Sequence, residues 1–478
     1  MRRPRNTEQF REFRVVEQLA RSERAIAQGH PQGDLGVALL FPGEYPVAIA
    51  SLAFHRLFEL CNAVEGVRCE RFFYHPSFSR YFSLDSFRPL DEFEIWAFSL
   101  SFELDAYNIL ALLDAKGIPR LANQRTFRHP LLLLGGAVTY FNALPLEPYM
   151  DVVYHGDAEV HLASMLRIAL EEFRTSGSRE RLLERWASIP ALSIPPLSHR
   201  FQQLAVDLQM LQNPSYSHFV SPRGEFGNKG LLEIGRGCLH RCAFCVAGHT
   251  RNPARFPKVE KLWERIALFR EKGVRGVGLI AATPTDHPEM ESLLGKMQEQ
   301  DIPFSLSSLR LDRLTPTLLA GLRRSGQNSI TIAPEGGSQK MRDVFHKGIE
   351  TSDIHRALQA IADHGFQAVK MYFIYGLDEE NEEDLAGFAQ IGQQAQELGI
   401  QKVSMSFNPL IPKPQTPFSA RKMQDAKLLA EKKRWIEQSL RGIARTKFES
   451  LRSAQLQYAL ANGDENVLQD HPPHFSQR

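Results

Sequence analysis

Short apolar runs alternate with longer amphipathic stretches over most of the chain. In the first half, the pattern predicts strands at 36–41, 67–74, 94–100, 131–136 and 151–156. Helical periodicity fills the gaps between them. Uninterrupted apolar strands that alternate with helices indicate a parallel sheet that is covered on both faces. The chain is therefore predicted to form a doubly wound, Rossmann-like α/β domain over 35–185, after a helical extension at 1–34.

A second series of strands and helices follows a Pro-, Ser- and Gly-rich stretch at 186–228, which is typical of a linker between domains. Its strands are predicted at 230–237, 275–282, 303–309, 329–335, 367–376 and 401–409. Six strand–helix units are too few for a closed eight-stranded barrel. We therefore predict an open, partial (β/α)6 barrel over 229–419 and a small helical extension over 420–478.

Composition excludes several classes of protein. The 478 residues are 43% hydrophobic and 23% charged, which excludes disordered and fibrous chains. The formal charge of +2 gives no global basic field for nucleic acid. The apolar runs are far shorter than the roughly 20 residues of a membrane span, and the first residues contain no apolar signal core. We expect a soluble, cytoplasmic protein with no membrane partner.

Three of the five cysteines lie within eight positions, directly after the first strand of the second series. Barrel folds assemble active sites at this end of their strands. Three thiolates with the spacing of Cys238, Cys242 and Cys245 can hold three irons of a 4Fe–4S cube and leave the fourth without a protein ligand. A structural zinc needs a fourth ligand, for which His240 and His249 are candidates, so zinc remains an alternative from the spacing alone.

The two remaining cysteines, Cys61 and Cys69, are far from this group in sequence and lie beside apolar residues. Five cysteines in a chain of this length do not form a disulfide scaffold. We expect Cys61 and Cys69 to be buried, inert thiols.

The cysteine segment resembles the radical S-adenosylmethionine (SAM) superfamily, in which an aromatic residue precedes the third cysteine, as Phe244 does here. The resemblance implies that Cys238, Cys242 and Cys245 are the catalytic metal ligands and that Phe244 lies at the cofactor. It also implies that the open iron binds the amino and carboxylate groups of SAM. An electron from a donor such as flavodoxin or ferredoxin then cleaves SAM and releases a 5′-deoxyadenosyl radical.

Polar residues at the ends of the later strands are the candidates for holding SAM: Thr283, Ser307, Arg310, Glu335 and Lys370. A cation such as Arg310 or Lys370 suits the SAM carboxylate, and Glu335 suits an ammonium or hydroxyl group. The segments SLRLDRL and APEGGS also resemble patterns at these positions in the superfamily. For each residue, a structural ion pair or a strand-end cap is the alternative.

The first domain is similar to the cobalamin-binding domain that precedes the barrel in one branch of the superfamily. The candidates for contacts with cobalamin are Ser99, Ser101, Gly135 and Gly136, because small residues at strand ends let a flat cofactor approach the backbone. Tight turns would explain the same residues. The Asp-x-His-x-x-Gly motif of many corrinoid proteins is absent, and His55 lies too far along the chain to replace its histidine. Either cobalamin binds without a protein histidine, or the domain is a scaffold.

The resemblance implies a radical SAM enzyme that transfers a methyl group from cobalamin to an unactivated carbon. A cobalamin-independent rearrangement, cyclisation or hydrogen abstraction is the alternative, and a non-catalytic zinc scaffold is a second. A methylthiotransferase acting on tRNA is a narrower alternative. The pattern of those enzymes has three more cysteines in the first domain, where this chain has only Cys61 and Cys69. We expect a small-molecule substrate rather than a macromolecule, and the sequence does not identify it.

Overall fold

The computed structural model describes residues 7–27, 32–175, 177–209, 212–306 and 309–472. The chain forms two compact units. The first comprises residues 1–231, 267–274 and 463–478, and the second comprises 232–266 and 275–462. The predicted linker at 186–228 falls within the first unit, and the domain bounds predicted from the sequence remain predictions.

The helices and strands of the described residues are numbered in chain order. The helices are α1 (Thr7–Ser22), α2 (Tyr45–Ala48), α3 (Leu52–Asn62), α4 (Ala106–Ala115), α5 (Leu162–Thr175), α6 (Arg179–Trp186), α7 (Ala247–Thr250), α8 (Val259–Glu271), α9 (Met290–Glu299), α10 (Pro316–Arg324), α11 (Gln339–Val344), α12 (Thr351–Asp363), α13 (Glu382–Glu397), α14 (Ala426–Ser439), α15 (Leu451–Asn462) and α16 (Val467–Asp470). The strands are β1 (Arg24–Ala25), β2 (Leu35–Phe41), β3 (Val67–Phe73), β4 (Ile95–Ser99), β5 (Leu131–Gly135), β6 (Val152–Tyr154), β7 (Leu192–Ser193), β8 (Phe219–Val220), β9 (Lys229–Glu233), β10 (Gly276–Ile280), β11 (Phe304–Leu306), β12 (Ser329–Glu335), β13 (Ala368–Tyr375), β14 (Lys402–Pro409) and β15 (Arg445–Phe448). None of these helices has both the length and the hydropathy that a membrane span needs.

The first unit contains a sheet with the strand order β3-β2-β4-β5-β6-β7. The first five of these strands pair in parallel, and β7 pairs antiparallel to β6. All seven residues of β2 are buried, because both faces of the sheet are covered. The five parallel strands have the order of a doubly wound, flavodoxin-like sheet. The predicted Rossmann-like fold is confirmed, and β7 adds an edge strand that the sequence pattern did not predict.

The second strand series forms two sheets, one with the order β11-β10-β9 and one with the order β12-β13-β14-β15. The pairs β10–β11, β12–β13, β13–β14 and β14–β15 are parallel. Every predicted barrel strand is present, and the described residues form no closed barrel, so the open, partial barrel is confirmed. The C-terminal extension is not only helical, because β15 lies within it. Its alternating polar sequence, Arg-Thr-Lys-Phe, gives no apolar run for a sequence pattern to detect.

Candidate functional site

The cysteine segment leaves the barrel through a fixed turn after β9. Arg236 and Arg255 exchange backbone hydrogen bonds of 2.9 and 2.8 Å. Gly237 has a φ of +85°, and a Cβ at this position would collide with the carbonyl oxygen of Arg251. Only glycine combines this backbone conformation with such a close approach. The turn therefore fixes the direction in which the chain enters Cys238.

The three thiols lie in one partly enclosed site. Cys238 and Cys242 are buried, and Cys245 is half-buried. Burial raises the pKa of the Cys242 thiol, and the positive charge of Lys347 opposes this effect. Burial also raises the pKa of Cys245, against backbone N–H groups of the following turn that lower it. Among the described residues, no three His, Cys, Asp or Glu side chains have an arrangement that could hold a single metal ion.

The residues between the second and third cysteines anchor the loop to an apolar cluster. The N–H of Ala243 donates a hydrogen bond of 2.8 Å to the carbonyl oxygen of Phe345, and the N–H of Phe418 donates one of 3.3 Å to the carbonyl oxygen of Ala243. The ring of Phe244 meets that of Phe345 edge to face, with centroids 5.5 Å apart. Phe244, predicted to lie at the cofactor, thus also packs the loop against the protein.

The two histidines of the segment have protein partners. His240 Nε2 lies 2.8 Å from Asp286 Oδ2, and His249 Nε2 lies 3.1 Å from the carbonyl oxygen of Cys242. Burial raises the pKa of Asp286, but hydrogen bonds from His240 and Thr283 outweigh that effect, so the pKa is lowered overall. The hydroxyl oxygen of Thr283 is also 3.9 Å from Cys238 Sγ. Thr283, predicted from the sequence to contact SAM, lies beside Cys238, and Asp286 is a neighbour that was not predicted from the sequence.

A second group of charged residues surrounds Glu335 at the end of β12. Burial raises the pKa of Glu335, and Lys347 Nζ, 3.0 Å from Glu335 Oε1, opposes that rise. Arg310 pairs with Asp312 at 2.9 Å and donates a hydrogen bond of 3.2 Å to the carbonyl oxygen of Lys347. Arg310 and Glu335 are thus held in one network. Lys347 was not predicted from the sequence as a site residue.

Two further barrel candidates are placed differently. Lys370 lies on β13, and its ammonium nitrogen is 2.6 Å from the hydroxyl oxygen of Tyr372. In the strand register Lys370 pairs with Thr331, whereas Glu335 pairs with Phe373. Phe373, the partner of Glu335, lies near the carboxyl end of β13, and Lys370 lies three residues before it in the strand. Ser307 lies outside the described residues.

In the first unit, Ser99 and Gly135 are partners in the parallel register at the carboxyl ends of β4 and β5. The Ser99 hydroxyl is buried and has no hydrogen-bond partner among the described residues. A Cβ on Gly135 would meet nothing closer than the Tyr154 Cβ at 3.9 Å. Gly136, in contrast, has a φ of +112° and lies against the backbone of Leu100. Packing against Leu100 thus accounts for the glycine at 136. Packing does not account for the other two residues, because the buried Ser99 hydroxyl has no hydrogen-bond partner among the described residues and Gly135 has open space beside it.

Ser101 and His55, also in the first unit, are the other two residues considered for contacts with cobalamin. Ser101 is exposed. His55 is buried, its Nε2 is 2.9 Å from the carbonyl oxygen of Ile49, and its Nδ1 accepts a hydrogen bond from the N–H of His218. Burial lowers the pKa of His55 to about 3. Since both ring nitrogens have protein partners, His55 is held as a structural histidine.

Comparison with protein families matches both halves of the chain. Residues 53–195 match the family described as "Radical SAM proteins, N-terminal". Residues 232–391 match the family described as "Radical SAM superfamily". The second match contains the three cysteines together with Thr283, Arg310, Glu335 and Lys370.

Curated relatives include one that aligns over most of its length. "Uncharacterized protein MJ0966" of Methanocaldococcus jannaschii is 29% identical over 439 residues, which is 90% of this chain and 89% of that protein. "Ribosomal protein uS12 methylthiotransferase RimO" of Crocosphaera subtropica is 27% identical over 106 residues, which is 20% of this chain and 24% of RimO. The likeness to RimO thus concerns a short segment.

Solved structures with a similar fold include two enzymes that align with nearly equal TM-scores. The methyltransferase TsrM from Kitasatospora setae, solved with cobalamin and a [4Fe-4S] cluster, aligns with a TM-score of 0.53, 14% identity, 80% of this chain and 76% of TsrM. The cobalamin-dependent SAM radical enzyme OxsB aligns with a TM-score of 0.52, 12% identity, 89% of this chain and 66% of OxsB. At these identities the likeness is one of fold.

Proposed function

The chain belongs to the radical SAM superfamily, whose enzymes use a 4Fe–4S cluster and SAM, and we propose that it transfers a methyl group from cobalamin to an unactivated carbon of a small molecule. Cys238, Cys242 and Cys245 are the proposed ligands of the cluster. When bound, the cluster supplies the electron that cleaves SAM, and cobalamin supplies the methyl group. The electron donor is proposed to be a flavodoxin or a ferredoxin.

The cysteine loop fits a cluster with one open iron. Three thiols lie in one partly enclosed loop, and the nearby histidines are engaged elsewhere, His240 by Asp286 and His249 by a backbone carbonyl oxygen. The positive charge of Lys347 lowers the pKa of Cys242 against the effect of burial, which favours the thiolate that iron requires. Among the described residues no three His, Cys, Asp or Glu side chains are arranged to hold a single metal ion, which favours a cluster over a zinc site that recruits a histidine.

The charged network around Glu335 fits a zwitterionic ligand. Arg310 suits the carboxylate of SAM, and Glu335, held by Lys347, suits its ammonium or ribose hydroxyl groups. Thr283, beside Cys238, and Phe244, packed within the loop, complete the proposed contacts. Lys370 and Ser307 stay in the proposed set as predictions from the sequence.

The open carboxyl edge of the first sheet is the observation that carries the cobalamin part of the proposal. Ser99 keeps a buried hydroxyl without a partner, and Gly135 leaves space where a side chain would otherwise stand. Doubly wound sheets bind ligands outside the carboxyl ends of their strands. The fold shared with TsrM, which was solved with cobalamin, supports the same assignment. Ser101 and Gly136 flank this pair, and since His55 is held by backbone groups, no protein histidine is proposed for cobalt.

A cobalamin-independent radical reaction is the second candidate, because the barrel residues alone would support it. Anaerobic reconstitution with iron, sulfide and hydroxocobalamin separates the two. After desalting, we expect about four irons and about one cobalt per chain, because we propose one 4Fe–4S cluster and one cobalamin per chain. Iron without cobalt would contradict the methyl-transfer proposal and leave the second candidate. A protein that takes up neither metal would contradict the cluster assignment itself.

A further inference from the structure

The second barrel sheet has one apolar face and one polar face. On β13, Met371 and Phe373 are fully buried, and the ring of Phe373 meets that of Phe388 in α13 with centroids 4.9 Å apart. Helices therefore cover this face. Successive side chains of a strand point to opposite faces, so Lys370 and Tyr372 lie on the other face, which is the inside of the partial barrel.

The parallel register continues this inner face across the sheet. Two rows of partners cross β13, β14 and β15 at inward positions: Lys370–Ser404–Arg445 and Tyr372–Ser406–Lys447. Neighbouring strands lie about 4.8 Å apart, so each row spans about 10 Å. The inner face thus presents three cations interspersed with three hydroxyl groups.

The positive charge of the inner face has no counterpart in the sheet. The four strands β12 to β15 contain one acidic residue, Glu335, and Lys347 is its partner. Lys370 Nζ has a hydroxyl oxygen 2.6 Å away and no carboxylate partner among the described residues. The side chains of Arg445 and Lys447 have neither a hydrogen bond nor an ion pair within the same part of the chain. Such cations, beside hydroxyl donors, are suited to bind a carboxylate or a phosphate group.

We propose that the inner face of β13, β14 and β15 binds the acidic group of an anionic substrate, a carboxylate or a phosphate, through the cations and hydroxyl groups of the two rows. Charge on an edge strand such as β15 also protects a sheet against aggregation. That role does not extend to Lys370, because β13 has a partner strand on each side. The hydroxyl groups of the two rows do not serve it either.

The proposed site lies at a distance from the cysteine loop that suits a small molecule. Glu335 pairs with Phe373, three residues after Lys370. A strand rises about 3.3 Å per residue, so the Lys370 row lies about 10 Å before the level of Glu335. An acidic group bound there leaves the rest of the molecule free to reach the carboxyl ends of the strands, where barrel folds carry out chemistry. That this ligand is the substrate rests on the proposed function.

The test measures the binding of small anions to the full chain by saturation-transfer difference nuclear magnetic resonance. The probes are phenyl phosphate, phthalate and the neutral benzyl alcohol, each titrated into the reconstituted protein with saturating SAM and no reductant. Bound SAM occupies its own carboxylate site, so the probes report on other sites. Arg445→Gln and Lys447→Gln are compared with wild type and with Lys427→Gln, which removes one positive charge at an exposed position on α14.

We expect phenyl phosphate or phthalate to bind the wild-type protein and benzyl alcohol not to bind. Arg445→Gln and Lys447→Gln should each raise the Kd about tenfold, the effect of losing one hydrogen bond to a charged group. Lys427→Gln should leave the Kd unchanged. The anion that binds more tightly tells a phosphate from a carboxylate. Absence of binding by both anions would overturn the inference, as would equal binding by wild type and both inner-face variants.

Two further readouts separate the possible failures. If flavodoxin-dependent SAM cleavage falls in Arg445→Gln and Lys447→Gln while anion binding is unchanged, the surface docks the electron donor and the inference is overturned. Iron and cobalt counts of the same preparations test the proposed function independently. Anion binding that is lost in the variants supports the site even if the protein takes up no cobalt, whereas full cofactor uptake without anion binding contradicts the site alone.

Discussion

Lys347 Nζ lies 3.0 Å from Glu335 Oε1. The backbone of Glu335 has a φ of +66°. Left-handed backbone at a residue other than glycine is uncommon and costs energy, so surrounding contacts must hold it. The Lys347 and Glu335 side chains are only 10% and 13% exposed. The pair is thus an ion pair in a nearly closed site, and it fixes the carboxylate that we assign to SAM.

Replacing Lys347 with Met should leave a buried carboxylate without its partner. We expect a loss of about 3 kcal/mol in the free energy of unfolding, near the lower end for breaking a buried pair. Denaturant unfolding of the apoprotein measures it. Lys261→Met is the matched control, because the Lys261–Glu264 pair is 43% and 54% exposed, and such surface pairs contribute about 0–1 kcal/mol. Equal losses in the two variants would contradict the structural role of the pair.

Each of the three clustered cysteines should be required for iron. We expect Cys238→Ala, Cys242→Ala and Cys245→Ala to lose most of the iron and all SAM cleavage after reconstitution, because a cube held by two thiolates has too few ligands. Cys61→Ala, at a buried position outside the loop, should keep the wild-type iron content. Iron and acid-labile sulfide assays provide the measurement. Iron retained in the loop variants would contradict the ligand assignment.

Gly135 and Gly136 should respond differently to the same substitution. A methyl group at 135 has room in the protein, so we expect Gly135→Ala to unfold within about 1 kcal/mol of wild type. Bound cobalamin would need that space, so its uptake should fall. Gly136→Ala forces a side chain into a φ of +112° against Leu100, and should cost more than about 1 kcal/mol. Thermal unfolding and cobalt counts distinguish the two effects. Wild-type cobalt uptake by Gly135→Ala would contradict the assigned cobalamin edge.

The buried His55 predicts a loss of stability in acid. Burial lowers its pKa to about 3 in the folded protein, whereas an unfolded histidine has a pKa of about 6.5. The unfolded state therefore binds the extra proton, so the stabilisation is complete above pH 6.5 and is lost as the pH falls towards 3. Between pH 7 and pH 5 this single group should cost about 2 kcal/mol.

His55→Asn should make the loss of stability over this pH range smaller by about that amount. Denaturant unfolding at a series of pH values gives the comparison. His355→Asn, at an exposed position on α12, serves as the control and should leave the pH dependence as in wild type. A His55→Asn protein with the wild-type pH dependence would contradict the burial of an uncharged His55.

The strands of the fold were predictable because most of them are continuous apolar runs. The β2 segment Leu-Gly-Val-Ala-Leu-Leu-Phe is buried along its whole length, and burial on both faces leaves that pattern in the sequence. Strand β15 was not predictable, since every other residue of Arg-Thr-Lys-Phe is exposed and the segment joins the sheet only through its pairing with β14. The pattern of apolar residues within a segment does not indicate a strand that forms only by pairing with a distant segment of the chain.

The site was predictable only where its residues are close in sequence. The cysteine spacing identified the loop, and the radical SAM assignment it suggested is confirmed. Asp286 was missed because it stands 46 residues from His240, and only the fold brings the two together. Lys347 and Glu335, 12 residues apart, are joined by the path of the chain between β12 and α12.

The central claim is that Cys238, Cys242 and Cys245 hold a cluster whose fourth iron is open to SAM. The most direct test is the electron paramagnetic resonance spectrum of the anaerobically reconstituted, reduced protein, recorded with and without SAM. If SAM binds the open iron, its addition changes the g-values of the cluster signal, and addition of buffer alone leaves them unchanged. A cluster signal that SAM leaves unaltered would contradict the claim.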